Sequence, residues 1–339
     1  MKGNPQHVDD RSLLEAALGD GRFLLALTGI ALAGSGGFAF FLCATGHFLP
    51  HDVQALGFDA AQLARTARPQ LVNFMFHDRA AFGGSLIAIG TLYFWLAEFP
   101  LRAGARWAWW TLALSGALGF ATFLYYLGYR YLDTWHGVAT LLLLPVFVTG
   151  LVRSWKNLPA TNGSAKVRWP ERFNAVSPTE SVARWLLTLY GAGLVAAGAT
   201  ISVLGMTHVF VTTDLAYIGM SVPEICGVSE RLVPVIAHDR AGFGGGLVST
   251  GFVVLALVRF APLSRSLVQA LALSGAAGFG GAIGIHYVVG YTDIGHIAPA
   301  WIGAALWAAG IALAWRSWAR LRSETKTTAA VPPSPARPA

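Results

Sequence analysis

The sequence predicts an all-α integral membrane protein with eight transmembrane helices, arranged as two tandem parallel four-helix bundles. Its composition indicates a lipid environment, because 55% of its 339 residues are hydrophobic and only 12% are charged, a balance unlike that of soluble globular proteins. An internal repeat then divides the chain into two similar halves. We therefore expect the lipid bilayer to surround most of the chain.

Eight apolar stretches approach the length of about 20 residues that a helix needs to cross a hydrocarbon core. The first follows a polar tail with several acidic residues, unlike the short basic leader of a cleaved signal peptide. We expect it to be a retained helix. In chain order the stretches cover 22–44, 80–99, 107–128, 137–152, 185–205, 241–258, 267–289 and 297–315.

Two segments of the first half recur in the second half in the same order. HDRAAFGGSL at 77–86 matches HDRAGFGGGL at 238–247 at eight of ten positions, and LALSGALGF at 112–120 matches LALSGAAGF at 271–279 at eight of nine. Because each unit has an even number of helices, both units enter the membrane with the same orientation. Weaker matches join His47 with His208, Asp52 with Asp214, Leu56-Gly57 with Ile218-Gly219, and Asp133 and His136 with Asp293 and His296.

The basic residues indicate the orientation of the chain. Eighteen Lys and Arg residues fall in the tails and in alternate loops, against six in the opposite loops, which places the basic side in the cytoplasm of a cell with an inner membrane. The net charge of +7 therefore reflects topology, and no nucleic-acid partner is expected. The expected parts are a cytoplasmic N-terminal tail (1–21), a first repeat (22–152), a cytoplasmic linker (153–184), a second repeat (185–315) and a cytoplasmic C-terminal tail (316–339).

Eight of the nine histidines gather at the predicted outer face, together with six aspartates. Ionisable groups at membrane depth are costly, so they usually face a bundle interior and are paired or ligated. Asp78, Asp239, His47 and His208 are the candidate catalytic residues. The full outer-face set is His47, His51, His77, His136, His208, His238, His286, His296, Asp52, Asp78, Asp133, Asp214, Asp239 and Asp293.

Within each unit, one histidine is expected to open the second helix and another the fourth. His77 and His136 are 59 residues apart, and His238 and His296 are 58 apart. Each pair suits a bis-imidazole haem site, or a transition-metal site in which neighbouring carboxylates complete the ligand set. Those carboxylates would be Asp78, Asp133, Asp239 and Asp293.

Two structural interpretations stand beside these sites. Each His-Asp-Arg triplet suits a helix start, with the Asp at the positive dipole end, the Arg at the headgroups and the His bonded to a loop carbonyl. The glycines at 83–84 and 244–246 allow a flat group to approach the backbone, or simply a neighbouring helix.

The two four-helix units, with their histidines at the second and fourth helices, resemble the haem A synthase family over about residues 20–318. On that likeness His77 and His136 would be one haem-ligand pair and His238 and His296 the other, with haem b in one unit and a haem substrate in the other. The family has Glu three residues before the first histidine of each pair, whereas this chain has Phe74 and Val235. The resemblance therefore implies a haem-binding scaffold, not the family's hydroxylation reaction.

These observations favour a haem-binding membrane oxidoreductase or electron-transfer protein with its site at the outer face and a quinone or another redox partner. The alternatives are a transporter, since parallel repeats also build transporters, and a metal-dependent lipid-modifying enzyme. The halves are unequal, because His286 occurs only in the second unit and Tyr126 lies near its matching position. We expect one unit to hold a cofactor and the other a substrate.

Overall fold

The computed structural model describes residues 12, 18–124, 134–158, 175 and 177–329, without the side chains of 123, 134–136 and 324–329. Within these ranges the chain is all-helical, without a strand. Seven of the described helices are long and apolar enough to cross a membrane. The long helices are α1 (Arg22–Thr45), α4 (Pro69–Leu96, continued by a π-helical turn at Ala97–Leu101), α5 (Arg106–Phe123), α6 (Thr134–Lys156), α7 (Pro178–Met206), α10 (Leu232–Phe260), α11 (Arg265–Val289) and α12 (Ile294–Ala329).

The predicted third span corresponds to α5, which is not among the seven. Its first five residues include Arg106 and three tryptophans, which lower its mean hydropathy, and it ends next to the last described residue before the gap, 124. Helix extends into the ranges of the predicted linker and C-terminal tail: α6 extends to Lys156, α7 begins at Pro178 and α12 continues to Ala329.

Two helices begin earlier than the apolar stretches predict. α4 begins at Pro69 and α10 at Leu232, so the His-Asp-Arg triplets lie more than a turn inside each helix. His77 and Arg79 are 4% and 5% exposed. The prediction that His77 opens its helix is wrong, and so is the interpretation of the triplets as helix starts with the arginine at the headgroups. The first-turn positions of His136 in α6 and His296 in α12 are confirmed.

Short helices confirm two of the weaker repeat matches, those of Asp52 with Asp214 and of Leu56-Gly57 with Ile218-Gly219. Asp52 is the third residue of its helix and accepts a hydrogen bond from the Leu49 backbone N–H (3.3 Å), and Asp214 accepts one in the same way from Val211 (2.7 Å). Both helices end at a glycine with positive φ. The four short helices are α2 (Pro50–Leu56), α3 (Ala60–Thr66), α8 (Thr212–Ile218) and α9 (Val222–Val228).

The two units interleave around α4 and α10. In their most apolar stretches, 72% of α4 and 67% of α10 are buried, against 17% for α6 and α12. α1 packs on α4 and α7 on α10, within their units, but α11 of the second unit packs on α4 and α5 of the first unit packs on α10. These contacts do not confirm two self-contained bundles; they join the second helix of each unit to the third helix of the other.

The glycine-rich segments are helix-packing surfaces. A Cβ on Gly36 of α1 would lie 2.3 Å from the carbonyl oxygen of Gly83, and one on Gly198 of α7 would lie 2.5 Å from that of Gly244. Such short distances leave room for hydrogen only, so these helices meet through backbone contacts, as small-residue interfaces in membranes do. Of the two interpretations of the glycines, close approach of another helix is confirmed at these positions.

Candidate metal centre between the repeats

The two His-Asp-Arg triplets face each other across the central helices and exchange ion pairs. Arg79 of α4 donates to Asp239 of α10 (3.3 Å), and Arg240 of α10 donates to Asp78 of α4 (3.0 Å). All four side chains are buried. Each unit thus supplies the counter-ion for the other, which explains how charged residues are accommodated so deep in an apolar bundle.

Each arginine also binds an aspartate on a short helix of its own unit. Arg79 lies 2.7 Å from Asp52, and Arg240 lies 2.7 Å from Asp214. Each guanidinium therefore has two carboxylate partners, as a buried cation needs when water is absent. This arrangement fixes α2 and α8 against the central helices.

His77 makes direct contact with a histidine of the other unit. Its Nε2 lies 3.1 Å from Nε2 of His286 on α11, with the rings nearly perpendicular at 88°. Its Nδ1 lies 3.0 Å from Oδ1 of Asp78, and Nδ1 of His286 lies 2.5 Å from the carbonyl oxygen of Ala282. A carboxylate or carbonyl oxygen accepts hydrogen bonds, so both Nδ1 atoms are donors. In neutral rings, the two facing Nε2 atoms are therefore unprotonated, and each directs a lone pair toward the other.

His296 completes a group of three histidines. One ring nitrogen each of His77, His286 and His296 lies within 4.8 Å of the other two. Two of these histidines are buried and His296 is half-buried. The group combines one residue of the first unit with two of the second, so it forms only when the units pack together.

Tyr291 links this group to the ion pairs. Its hydroxyl donates to Asp214 (2.9 Å) and lies 3.1 Å from Nδ1 of His296 and 3.0 Å from Oγ1 of Thr213. Tyr291 lies between α11 and α12, outside the candidate spans, and burial raises the pKa of its phenol. The hydroxyl therefore stays protonated and remains a donor beside His296.

A cavity of about 290 Å³ adjoins two of the three histidines, His77 and His296. Its polar wall includes His77, His296 and Arg240, and the rest of the wall is mainly apolar. A small, largely apolar molecule would fit there with one end at the imidazoles. The other lining residues are Asp78, Ile201, Leu204, Val211, Thr213, Phe243 and Gly295.

The structure brings together one histidine from each of the two predicted pairs. His77 meets His296, although the sequence paired it with His136, whose side chain lies outside the described residues, as does Asp133. Their pairing therefore stays a prediction. His238 lies where the repeat places it, buried, with Nδ1 3.3 Å from Asp239.

The remaining candidate residues are exposed at the surface or serve as counter-ions of the buried arginines. His47 and His208 are exposed at the end of the bundle. Asp293 is exposed and caps α12 through the backbone N–H of His296 (2.8 Å). Asp78 and Asp239 are held by arginines as counter-ions and contact the neighbouring histidines, which makes them positioning residues.

Sequence reasoning noted His286 but gave it no partner, and it missed Tyr291 as a site residue. The signal was present as His286, Tyr291 and His296, which are spaced five residues apart across the turn at Gly290. That turn reverses the chain between α11 and α12 and brings His296 close to His286.

Comparison with protein-family models, curated proteins and solved structures finds no match for this chain. The resemblance to haem A synthases therefore stays an expectation from sequence.

Proposed function

We propose that this protein is a transition-metal-dependent membrane enzyme that modifies a lipophilic substrate, with His77, His286 and His296 as the metal ligands. The observation that carries the proposal is the contact of 3.1 Å between the Nε2 atoms of His77 and His286. Two facing lone pairs repel unless a cation lies between them. A proton bridges only two nitrogens, whereas a third imidazole nitrogen also converges here, which favours a metal ion.

Distances favour a single ion over a shared haem. Two imidazole nitrogens bound to one tetrahedral ion through bonds of about 2.0–2.1 Å lie roughly 3.3 Å apart. Axial ligands of one haem iron would lie on opposite sides of the macrocycle, about 4 Å apart with bonds of the same length. The Nε2–Nε2 distance of 3.1 Å between His77 and His286 is closer to the first arrangement, so haem b and the haem-dependent oxidoreductase become the rival hypothesis.

The surrounding residues have the roles that a metal centre requires. Asp78 and the Ala282 carbonyl hold the Nδ1 protons of His77 and His286, which fixes their orientation and makes Nε2 more basic. Three protein ligands leave one coordination position open, and a metal ion there would activate water or polarise a substrate oxygen. The apolar wall at Leu204 and Phe243 favours a lipophilic substrate.

We also infer that all eight long helices cross an inner membrane with both termini in the cytoplasm. α5 has 18 residues, so at 1.5 Å per residue it is roughly 27 Å long, close to the hydrocarbon thickness. With the excess of eighteen basic residues over six on the cytoplasmic side, the three histidines would lie at the outer face. A reporter fused after residue 170 should behave as cytoplasmic, and an external signal would contradict this orientation.

The metal content of the detergent-purified protein tests the function. We expect about one transition-metal ion per chain after loading, lost in His286→Ala and retained in His208→Ala, the matched change at an exposed histidine outside the site. A dithionite-reduced haem α-band would support the rival hypothesis. Equal metal content in both variants, or none in the parent protein, would contradict the proposed site.

A further inference from the structure

A second cavity, which we call the unit 1 cavity, occupies the position in the first repeat that the histidine-lined cavity occupies in the second. Its volume is about 450 Å³. Equivalent residues line both, so the repeat has produced two related pockets that then diverged. The equivalent pairs are Ala39 and Ile201, Leu42 and Leu204, Leu49 and Val211, Arg79 and Arg240, Phe82 and Phe243, and Asp239 and Asp78.

The unit 1 cavity is largely apolar and reaches the outside of the bundle between α1 and α6. Leu86, Ile89 and Phe120 are among its walls. Gly34 of α1 and Ala139 of α6 line it and are exposed, and a Cβ on Gly34 would meet nothing within 4 Å. Because these outer helices would face lipid, a ligand would enter from the bilayer.

Arg79, at the polar end of the cavity, has an unused hydrogen-bond donor. Arg79 lines the cavity and is 5% exposed, and its Nη2 binds Asp52 and Asp239. Its Nη1 is buried and has no hydrogen-bond partner among the residues that the structure describes. The same holds for Oγ1 of Thr140, another lining residue. A buried donor without a partner destabilises the protein, so an acceptor on a ligand would be favoured here.

The charge around Arg79 selects the kind of acceptor. One guanidinium lies between two carboxylates, Asp52 and Asp239, so the group as a whole carries a net charge of about −1 when both are ionised. A further anion would be repelled by this group. A neutral oxygen acceptor, such as a carbonyl, satisfies Nη1 without that repulsion.

We propose that the unit 1 cavity binds a neutral lipophilic molecule whose carbonyl oxygen accepts a hydrogen bond from Arg79. The volume is within the range of small-molecule sites, about 300–1,000 Å³. The carbonyl belongs either to a quinone ring or to the acyl ester of a membrane lipid, and the two sources share this recognition chemistry. The site is separate from the three histidines and does not depend on a metal there.

Binding of two probes to the full chain in dodecyl maltoside, a detergent without carbonyl groups, tests this proposal. The probes are decylubiquinone for the quinone source and dioctanoylglycerol for the ester source. Gly34→Phe places a ring in the cavity mouth. Gly37→Phe is the control, because Gly37 lies on the same helix and has equal space at its Cβ but does not line the cavity. We expect Gly34→Phe to weaken binding of the preferred probe by about tenfold or more and Gly37→Phe by less than about twofold.

Arg79→Lys provides the second variant, because lysine keeps the positive charge for Asp52 and Asp239 but lacks the second terminal nitrogen. It should also weaken binding by about tenfold while keeping the melting temperature of the parent protein, and binding as tight as in the parent protein would overturn the role of Arg79. Preference for one probe identifies the carbonyl source. Binding of neither probe, or equal binding by Gly34→Phe and the parent protein, overturns the proposal. The metal content of Gly34→Phe should equal that of the parent protein, so the failure of this site and of the metal site are distinguishable.

Discussion

Arg240 donates a hydrogen bond from Nε to Oδ2 of Asp78 over 3.0 Å, joining the central helix of the second repeat to that of the first. The other oxygen of the same carboxylate contacts Nδ1 of His77. An ion pair between the repeats therefore also orients a candidate metal ligand. The stability of the interleaved fold and the geometry of the site depend on the same side chains.

Arg240→Met should destabilise the protein by about 3–5 kcal/mol, because it leaves Asp78 and Asp214 buried without their cation. The free energy of unfolding in detergent is the measurement. Arg102→Met is the matched control, since Arg102 is 68% exposed and pairs loosely with Glu98 (3.9 Å), and should change it by less than about 1 kcal/mol. Similar losses in both variants would contradict a structural role for the central pair.

Asp78→Asn should weaken metal binding by about 10- to 100-fold, because the amide no longer provides a charged acceptor for the Nδ1 proton of His77. Competition with a chelator measures the affinity. Asp59→Asn is the control, since Asp59 is exposed and caps α3, and it is not a lining residue of the cavity beside the histidines. Unchanged affinity in Asp78→Asn would show that this carboxylate does not support a ligand.

The phenol of Tyr291 should ionise only above the ordinary tyrosine pKa of about 10, because its pKa is raised by burial. A raised folded-state pKa contributes stability that is fully present below pH of about 10 and is lost as the pH rises through the folded value. An ultraviolet titration of the parent protein minus Tyr291→Phe isolates this group. A difference that titrates at or below pH of about 10 would be inconsistent with the buried donor.

Gly36→Ala should destabilise the protein by roughly 1–3 kcal/mol, because the new methyl group would lie 2.3 Å from the carbonyl oxygen of Gly83 and force α1 away from α4. Gly37→Ala is the adjacent control, with nothing within 4 Å of its Cβ. Melting temperatures of the two variants make the comparison. Equal effects would contradict the close packing of these helices.

Sequence predicted the helical membrane architecture and the importance of the triplets, because apolar length and repetition are local properties of the chain. It placed the start of α4 too late, because it treated His77 and Arg79 as a polar boundary. The charge of Arg79 is tolerated inside the helix since the other repeat supplies Asp239. That compensation involves residues about 160 positions apart in sequence and leaves no local signal.

The spacing of the histidines in the sequence also could not predict which residues form the site. Nearly equal histidine separations in the two units suggested that His77 would meet His136, but α11 of the second unit packs on α4 and brings His286 to His77. Which helices become neighbours is decided by packing surfaces such as Gly84, whose Cβ would lie 2.8 Å from the carbonyl oxygen of Ala277 on α11. Histidine spacing does not contain that information.

The most direct test of the three-histidine centre is the X-ray absorption spectrum of the metal-loaded protein, compared between His77→Ala and His238→Ala, the equivalent positions of the two repeats. We predict three imidazole nitrogens at about 2.0–2.1 Å from the metal, lost in His77→Ala and retained in His238→Ala. A porphyrin-type spectrum, or equal loss of the metal signal in both variants, would contradict a single ion held by His77, His286 and His296.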